Sequence, residues 1–327
     1  MTLSNCQDVE LRIERRQKLG NIKATRHIGG STLKKRARQS IGLDEEKGGS
    51  GVVSQLTGAI VRALLVVFLI AAPSVLLPSV GPEGKQMVAL VALFAGLLTL
   101  IEYHATYPGL VEFRNAPPFN RIRFGMLFFM VLLLSLLERG TVHPSTLTEL
   151  VSAVGALIGM SMDFPYSPVR LVMLTMSEGA TAEQANVIRA AAGLAYLTSL
   201  ISLAIFMIAL RLGNWPARGT TFNVWINLPT FDPTGGGDVV DRLNRDARVN
   251  IALGFLLPFL IPAVVALGFD AMAHLPSSSP QTLVWTVTAW AFLPASLFMR
   301  GIAMGRIAEM IREKRRQNDP SSALVAA

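Results

Sequence analysis

The sequence predicts an all-α polytopic membrane protein with six transmembrane helices, one re-entrant or broken helical segment and a basic, flexible amino-terminal arm. Three observations predict it. Of 327 residues, 51% are hydrophobic and 16% charged, against about 25% charged in a soluble domain. The charges are unevenly placed, residues 1–55 holding 11 Lys/Arg and 6 Asp/Glu. Beyond them, six apolar stretches meet or approach the ~20 residues that a helix rising 1.5 Å per residue needs to cross a hydrocarbon core about 30 Å thick.

The arm, residues 1–55, is rich in Arg, Lys, Gly and Ser. Lys34, Lys35, Arg36 and Arg38 are its densest basic cluster, followed by Asp44, Glu45 and Glu46 and a Gly-Gly-Ser-Gly run at 48–51. Such a segment buries too little apolar surface to fold by itself, and on a cytoplasmic face its cluster is drawn to anionic lipid. The first apolar stretch lies far behind the start, so the short basic and apolar regions of a signal peptide are not expected.

The spans expected are Leu56–Val80, Met87–Tyr103, Phe124–Leu137, Ile188–Leu210, Ile251–Phe269 and Leu283–Phe298. The third is short, fenced by Arg123 and Glu138, and calls for local thinning or snorkelling flanks. Another stretch, Leu147–Met162, runs into Asp163-Phe164-Pro165-Tyr166-Ser167-Pro168 and then Val169–Met176. Two prolines so close cannot continue a helix. If the 147–176 region enters and leaves on one face, 25 Lys/Arg fall on one side of the membrane and 4 on the other, with Arg62 inside the first span. If it crosses, the bias nearly vanishes. The excess of basic residues in cytoplasmic loops selects the first arrangement and places both termini in the cytoplasm. The 23 Arg against 7 Lys hint at a bacterial inner-membrane protein. The chain then divides into the arm, the first four spans with the broken segment (56–210), a cytoplasmic loop (211–249), two further spans (250–300) and a basic cytoplasmic tail (301–327).

Trp285 and Trp290, Trp215, and Tyr103 with Tyr107 fall near expected span ends, where amphipathic rings settle at headgroups. Between 211 and 249, Phe222, Val224, Ile226 and Leu228 alternate with polar or amphipathic residues, the period of a strand or an extended interfacial strip. Asp238 can cap a helix carrying Arg242, Arg245 and Arg248, expected to lie on the inner surface before the fifth span. Thr181 and Gln184 form a capping box for the helix running to Leu210.

Chemistry-bearing motifs are few. One cysteine, Cys6, excludes intramolecular disulfides and sulfur-held metal clusters, and four histidines are too few for bis-histidine haems or a di-iron histidine box. No Gly-Lys-Ser/Thr phosphate loop, Gly-x-Ser-x-Gly elbow or His-Glu-x-x-His is present. Met160, Met162, Met173 and Met176 flank the broken segment and are candidate soft ligands for Cu(I), although methionine also fills irregular packing. Glu102, His104, Asp163, Asp270 and His274 are the polar membrane-site candidates, the last two spaced for one helix face. The interiors of the last four expected spans hold no ionisable residue, which speaks against ion-coupled transport.

The expected role is therefore non-enzymatic: assembly, scaffold or regulation, with Lys34, Lys35, Arg36, Arg38, Arg242, Arg245 and Arg248 meeting a protein partner or anionic lipid. No cofactor is expected. Nucleic acid is not the expected partner, because membrane topology accounts for the net charge of +8. The alternatives are a small-solute or metal-ion carrier or channel built around the broken segment near Asp163, and a membrane enzyme.

Overall fold

A computed structural model of the chain describes residues 55–176, 179–213, 215, 223–232, 236–266 and 279–318. The chain divides into residues 1–58 and 59–327, and the contacts below are those of the second unit. The basic cluster at 34–38, Phe222, Asp270 and His274 lie outside the described residues.

All regular structure among the described residues is helical. The elements are α1 Gln55–Leu76, α2 Pro82–His104, α3 Phe119–Val142, α4 Thr146–Met162, α5 Pro168–Leu174, α6 Ala182–Leu212, α7 Val224–Asn227, α8 Val239–Ala266 and α9 Pro280–Gln317. Six of them, α1, α2, α3, α6, α8 and α9, are long and apolar enough to cross a membrane. The protein is a membrane-embedded helical protein.

The third span is not short. It extends to 24 residues because its flanking charges are accommodated instead of ending it. Arg123 lies over the rings of Phe119 and Phe292, 5.0 and 5.9 Å from their centroids, and Arg139 donates to the Leu76 carbonyl at 2.8 Å. The helix therefore contains Arg121, Arg123, Glu138 and Arg139, charges the sequence reading had placed outside the spans.

The break at 163–167 is built as two capped ends. Ser145 and Thr148 form a reciprocal capping box that starts α4. Pro168 opens α5, and the Ser167 side chain accepts from the Arg170 N–H. The 17 residues of α4 span only about 25 Å. At its start, Thr148 lies against Gly140 in the last turn of α3; near its end, Gly159 meets the Arg189 backbone in the first turns of α6. Both ends of α4 thus meet one end of the bundle, which we term the far end. A face of Leu147, Leu150, Val154, Leu157 and Met160 remains exposed, suited to lipid.

The near end gathers the α2–α3 loop, the segment around α7, the start of α8 and the tail of α9. Over its described residues, 223–228, the period-two pattern does not become a strand. Asn223 instead nucleates one helical turn, its side chain accepting the Ile226 N–H at 3.3 Å and its carbonyl the Asn227 N–H at 3.1 Å. The stretch expected as a separate surface helix is the first turns of α8, continuous with the span. Asp238 still caps it, through the Val240 N–H at 3.1 Å. The Thr181–Gln184 box opens α6 as the sequence implies.

Two helix pairs approach almost backbone to backbone. A Cβ on Gly254 would lie 2.7 Å from the Pro294 carbonyl oxygen and the Phe298 nitrogen, and one on Gly301 would lie 2.7 Å from the Ala247 carbonyl oxygen. These two contacts lock α8 to α9, the most extensive helix pair among the described residues. Gly159 and Gly193 do the same for α4 and α6. Without a hydrophobic effect between helices in lipid, such close packing supplies the association. The core lies where α3, α6 and α9 meet; α9 is the most buried span at 56% and α2 the least at 11%.

Two expected headgroup aromatics are interior. Trp215 is buried beside Phe113. Trp290 is buried and donates its Nε1–H to the Pro258 carbonyl at 3.1 Å. That carbonyl would ordinarily accept from residue 262, but Pro262 has no N–H, so the indole replaces the missing donor.

Candidate functional site

At the near end a carboxylate clamp joins four elements. Glu112 in the α2–α3 loop accepts both forks of Arg300 on α9, Nε at 2.6 Å and Nη2 at 2.8 Å, the bidentate geometry that makes Arg–carboxylate pairs strong. Thr230 donates its hydroxyl to Glu112 Oε1 at 2.6 Å, and Arg300 Nη1 donates to Asn250 Oδ1 on α8 at 3.1 Å. Burial alone would raise the Glu112 carboxyl, but the hydrogen bonds from Arg300 and Thr230 outweigh it and hold the group below the ordinary carboxylate range. Asn227 completes the clamp, its carbonyl accepting from Phe113 N at 2.7 Å and its Oδ1 from Asn115 N at 3.0 Å. Phe113 adopts a left-handed φ of 53°. Its buried ring, 4.2 Å from that of Phe119, helps hold this strained conformation.

Glu102, a polar candidate from the sequence, organises the same loop by accepting the N–H groups of Gly109, Leu110 and Val111. Arg114 donates back to the carbonyls of Glu102, Ala105 and Thr106. His104 is exposed in the last turn of α2. The basic residues of α8 are spread along its first turns: Arg242 lies 4.9 Å from the centre of the Phe231 ring, Arg245 lies 3.9 Å from Asp246, and Arg248 donates to the Asn244 carbonyl. Beside them, Arg315 of α9 donates to Asp238 at 2.8 Å. The Val240 N–H and then Arg315 hold the Asp238 carboxyl below its usual range.

At the far end, Asp163 is the hinge of the α4–α5 break. Its Oδ2 accepts from Arg189 Nε at 2.9 Å, and Arg170 lies 3.5 Å from Oδ1. Arg189 also donates to Asn186. Beside this cluster a cleft of ≈ 690 Å³ runs between α3, α4 and α6, with Glu149, Glu183, Asn186 and Ser152 in its wall. Of the four methionines, Met160 is exposed on the lipid-facing side of α4, whereas Met162, Met173 and Met176 pack against the core. No group of three His, Cys, Asp or Glu able to hold a metal exists among the described residues.

Glu112, Thr230, Asn250 and Arg300 were not singled out from the sequence, and Arg123 only as a fence of the third span. Glu112 and Arg300 are 188 residues apart, and no periodicity links them. The one available signal was an arginine set immediately after the last apolar run. No family model, curated protein or solved structure matches this chain.

Proposed function

We propose that this chain is a non-enzymatic multi-pass protein of a bacterial inner membrane that assembles with, scaffolds or regulates a partner, meeting it or anionic lipid through basic cytoplasmic segments. One observation carries the reading: the locked α8–α9 pair presents a basic tip. Residues 238–248 and 306–316 hold eight Lys/Arg against five Asp/Glu, and α9 continues for 17 residues past Arg300, about 25 Å. The Glu112–Arg300 clamp ties this pair to the α2–α3 loop, so the tip is held by the bundle. The near end is then the cytoplasmic face. A carrier is the second reading, favoured by the ≈ 690 Å³ cleft between the end of α3, the first part of α4 and the start of α6, whose Asn186 is joined through Arg189 to Asp163.

Affinity capture from solubilised membranes separates them. The first reading expects a stoichiometric complex that is lost when Arg245, Arg248, Arg312 and Arg316 are all replaced by Glu, and that survives Asp163→Asn. A solitary protein whose solute movement is lost with Asp163→Asn and unaffected by the charge reversals supports the carrier and rejects the scaffold.

A further inference from the structure

A cleft of ≈ 360 Å³ opens between α1, α2, α3 and α9, edged by the α2–α3 loop. Val66, Phe124, Leu127 and Phe292 give it apolar walls, and Tyr103, Asn120, Arg123 and Glu112 add polar groups. By register along α1 and α3, Val66 and Leu127 lie deeper in the bundle than Arg62 and Asn120. The cleft is therefore amphipathic along the membrane normal, with its polar part at the near end.

Its charges do not balance. Glu112, the acidic group in the wall, is taken on both oxygens by Arg300. Nearby, Arg114 is committed to backbone carbonyls. Arg123 is different: its Nε is buried and makes no hydrogen bond, its guanidinium lies over the rings of Phe119 and Phe292, and its acidic neighbour Glu112 is already taken by Arg300. A cation–π contact offsets only part of the desolvation of a guanidinium. Arg62 packs 4.7 Å from the centre of the Tyr103 ring at the same edge. A half-buried guanidinium with no hydrogen-bonded carboxylate of its own, above an apolar trough, matches a phosphate carrying an acyl chain.

We propose that this cleft binds one anionic phospholipid, its phosphate on Arg123 and the start of one chain along Val66, Leu127 and Phe292. This goes beyond the partner reading: the site holds a single lipid inside the bundle, and the α8–α9 charge reversals leave it intact. The phosphate chemistry is shared with a free anion, which lacks the chain.

Protein purified in neutral detergent is titrated with dioctanoyl phosphatidylglycerol, dioctanoyl phosphatidylcholine or inorganic phosphate, with adducts read by native mass spectrometry. The expected result is one phosphatidylglycerol adduct, bound at least tenfold more tightly than phosphatidylcholine and weakened at least tenfold by Arg123→Gln. Leu127→Trp, which fills the trough without changing charge, weakens it as well and decides the matter if Arg123→Gln fails to fold. Absence of an adduct, equal affinity for the two lipids or undiminished binding by Leu127→Trp overturns the proposal. Displacement of the lipid by millimolar inorganic phosphate also overturns it, assigning the site to a free anion.

Discussion

Glu112 shows how one side chain can fix an end of a bundle. Its replacement by Gln leaves Arg300 half-buried with a neutral acceptor, and a hydrogen bond to a charged group contributes roughly 1.5–3 kcal/mol. The Glu112→Gln variant is expected to melt lower than wild type at pH 7 in detergent. The pH dependence has a definite sign. Because the folded carboxyl lies below its ordinary 4.5, its contribution is complete above that value and fades as pH falls through the lowered one. The difference in melting temperature between wild type and Glu112→Gln should therefore hold from pH 7 to about 5 and close under more acidic conditions. A gap that widens in acid rejects the assignment. Trp290 supplies a second case. Trp290→Phe keeps the ring but orphans the Pro258 carbonyl, and is expected to destabilise by about 1 kcal/mol in thermal or denaturant unfolding.

At the scale of elements, the α8–α9 lock is the most exacting packing. Gly301→Leu drives a side chain into the Ala247 carbonyl and the Ile251 nitrogen, both backbone atoms that cannot rotate away, so a loss of at least about 1–3 kcal/mol is expected. Gly125→Ala on α3, where a Cβ meets nothing within 4 Å, is expected to be neutral or slightly stabilising. Equal melting temperatures for these two variants reject the lock. Much of the element pattern was legible because local signals set it: prolines at 165 and 168 break the middle segment, Thr181 with Gln184 opens α6, and apolar runs mark the spans. What was not legible depended on tertiary partners. The ends of α3 were misplaced because Arg123 and Glu138 looked like fences, while the rings of Phe119 and Phe292 receive Arg123 and Glu138 is buried within the helix. The 222–228 alternation misled because an asparagine cap at 223 outweighs a period-two pattern of four apolar residues.

For the whole molecule, the α2–α3 loop and the tail of α9 share the near end, and both ends of α4 meet the far end. In the proposed topology six crossings return the chain to the side on which it began, and that sidedness can be read with one native thiol. In spheroplasts, Cys6 should resist a membrane-impermeant maleimide until the cells are lysed. In a Cys6→Ser background, a cysteine at Ala327 should behave alike, and one at Tyr166, exposed in the α4–α5 break, should label in intact spheroplasts. Labelling of residue 327 from outside rejects the topology. The Glu112–Arg300 clamp and the 34–38 cluster illustrate the limits of reading at this scale: the first pairs residues 188 apart, and the second lies outside the described residues.

The glycine-mediated closeness of α8 and α9 also bears on biogenesis. During synthesis α8 leaves the ribosome first, with a groove at Gly254 and with the Pro258 carbonyl still awaiting its indole donor. Until residues 280–301 follow it, that helix sits in the translocon or bilayer with an unmet polar group and an unfilled surface. A nascent chain truncated between the two helices would thus keep an unpaired carbonyl and an open glycine groove, and is expected to be less stable than the chain that carries both helices.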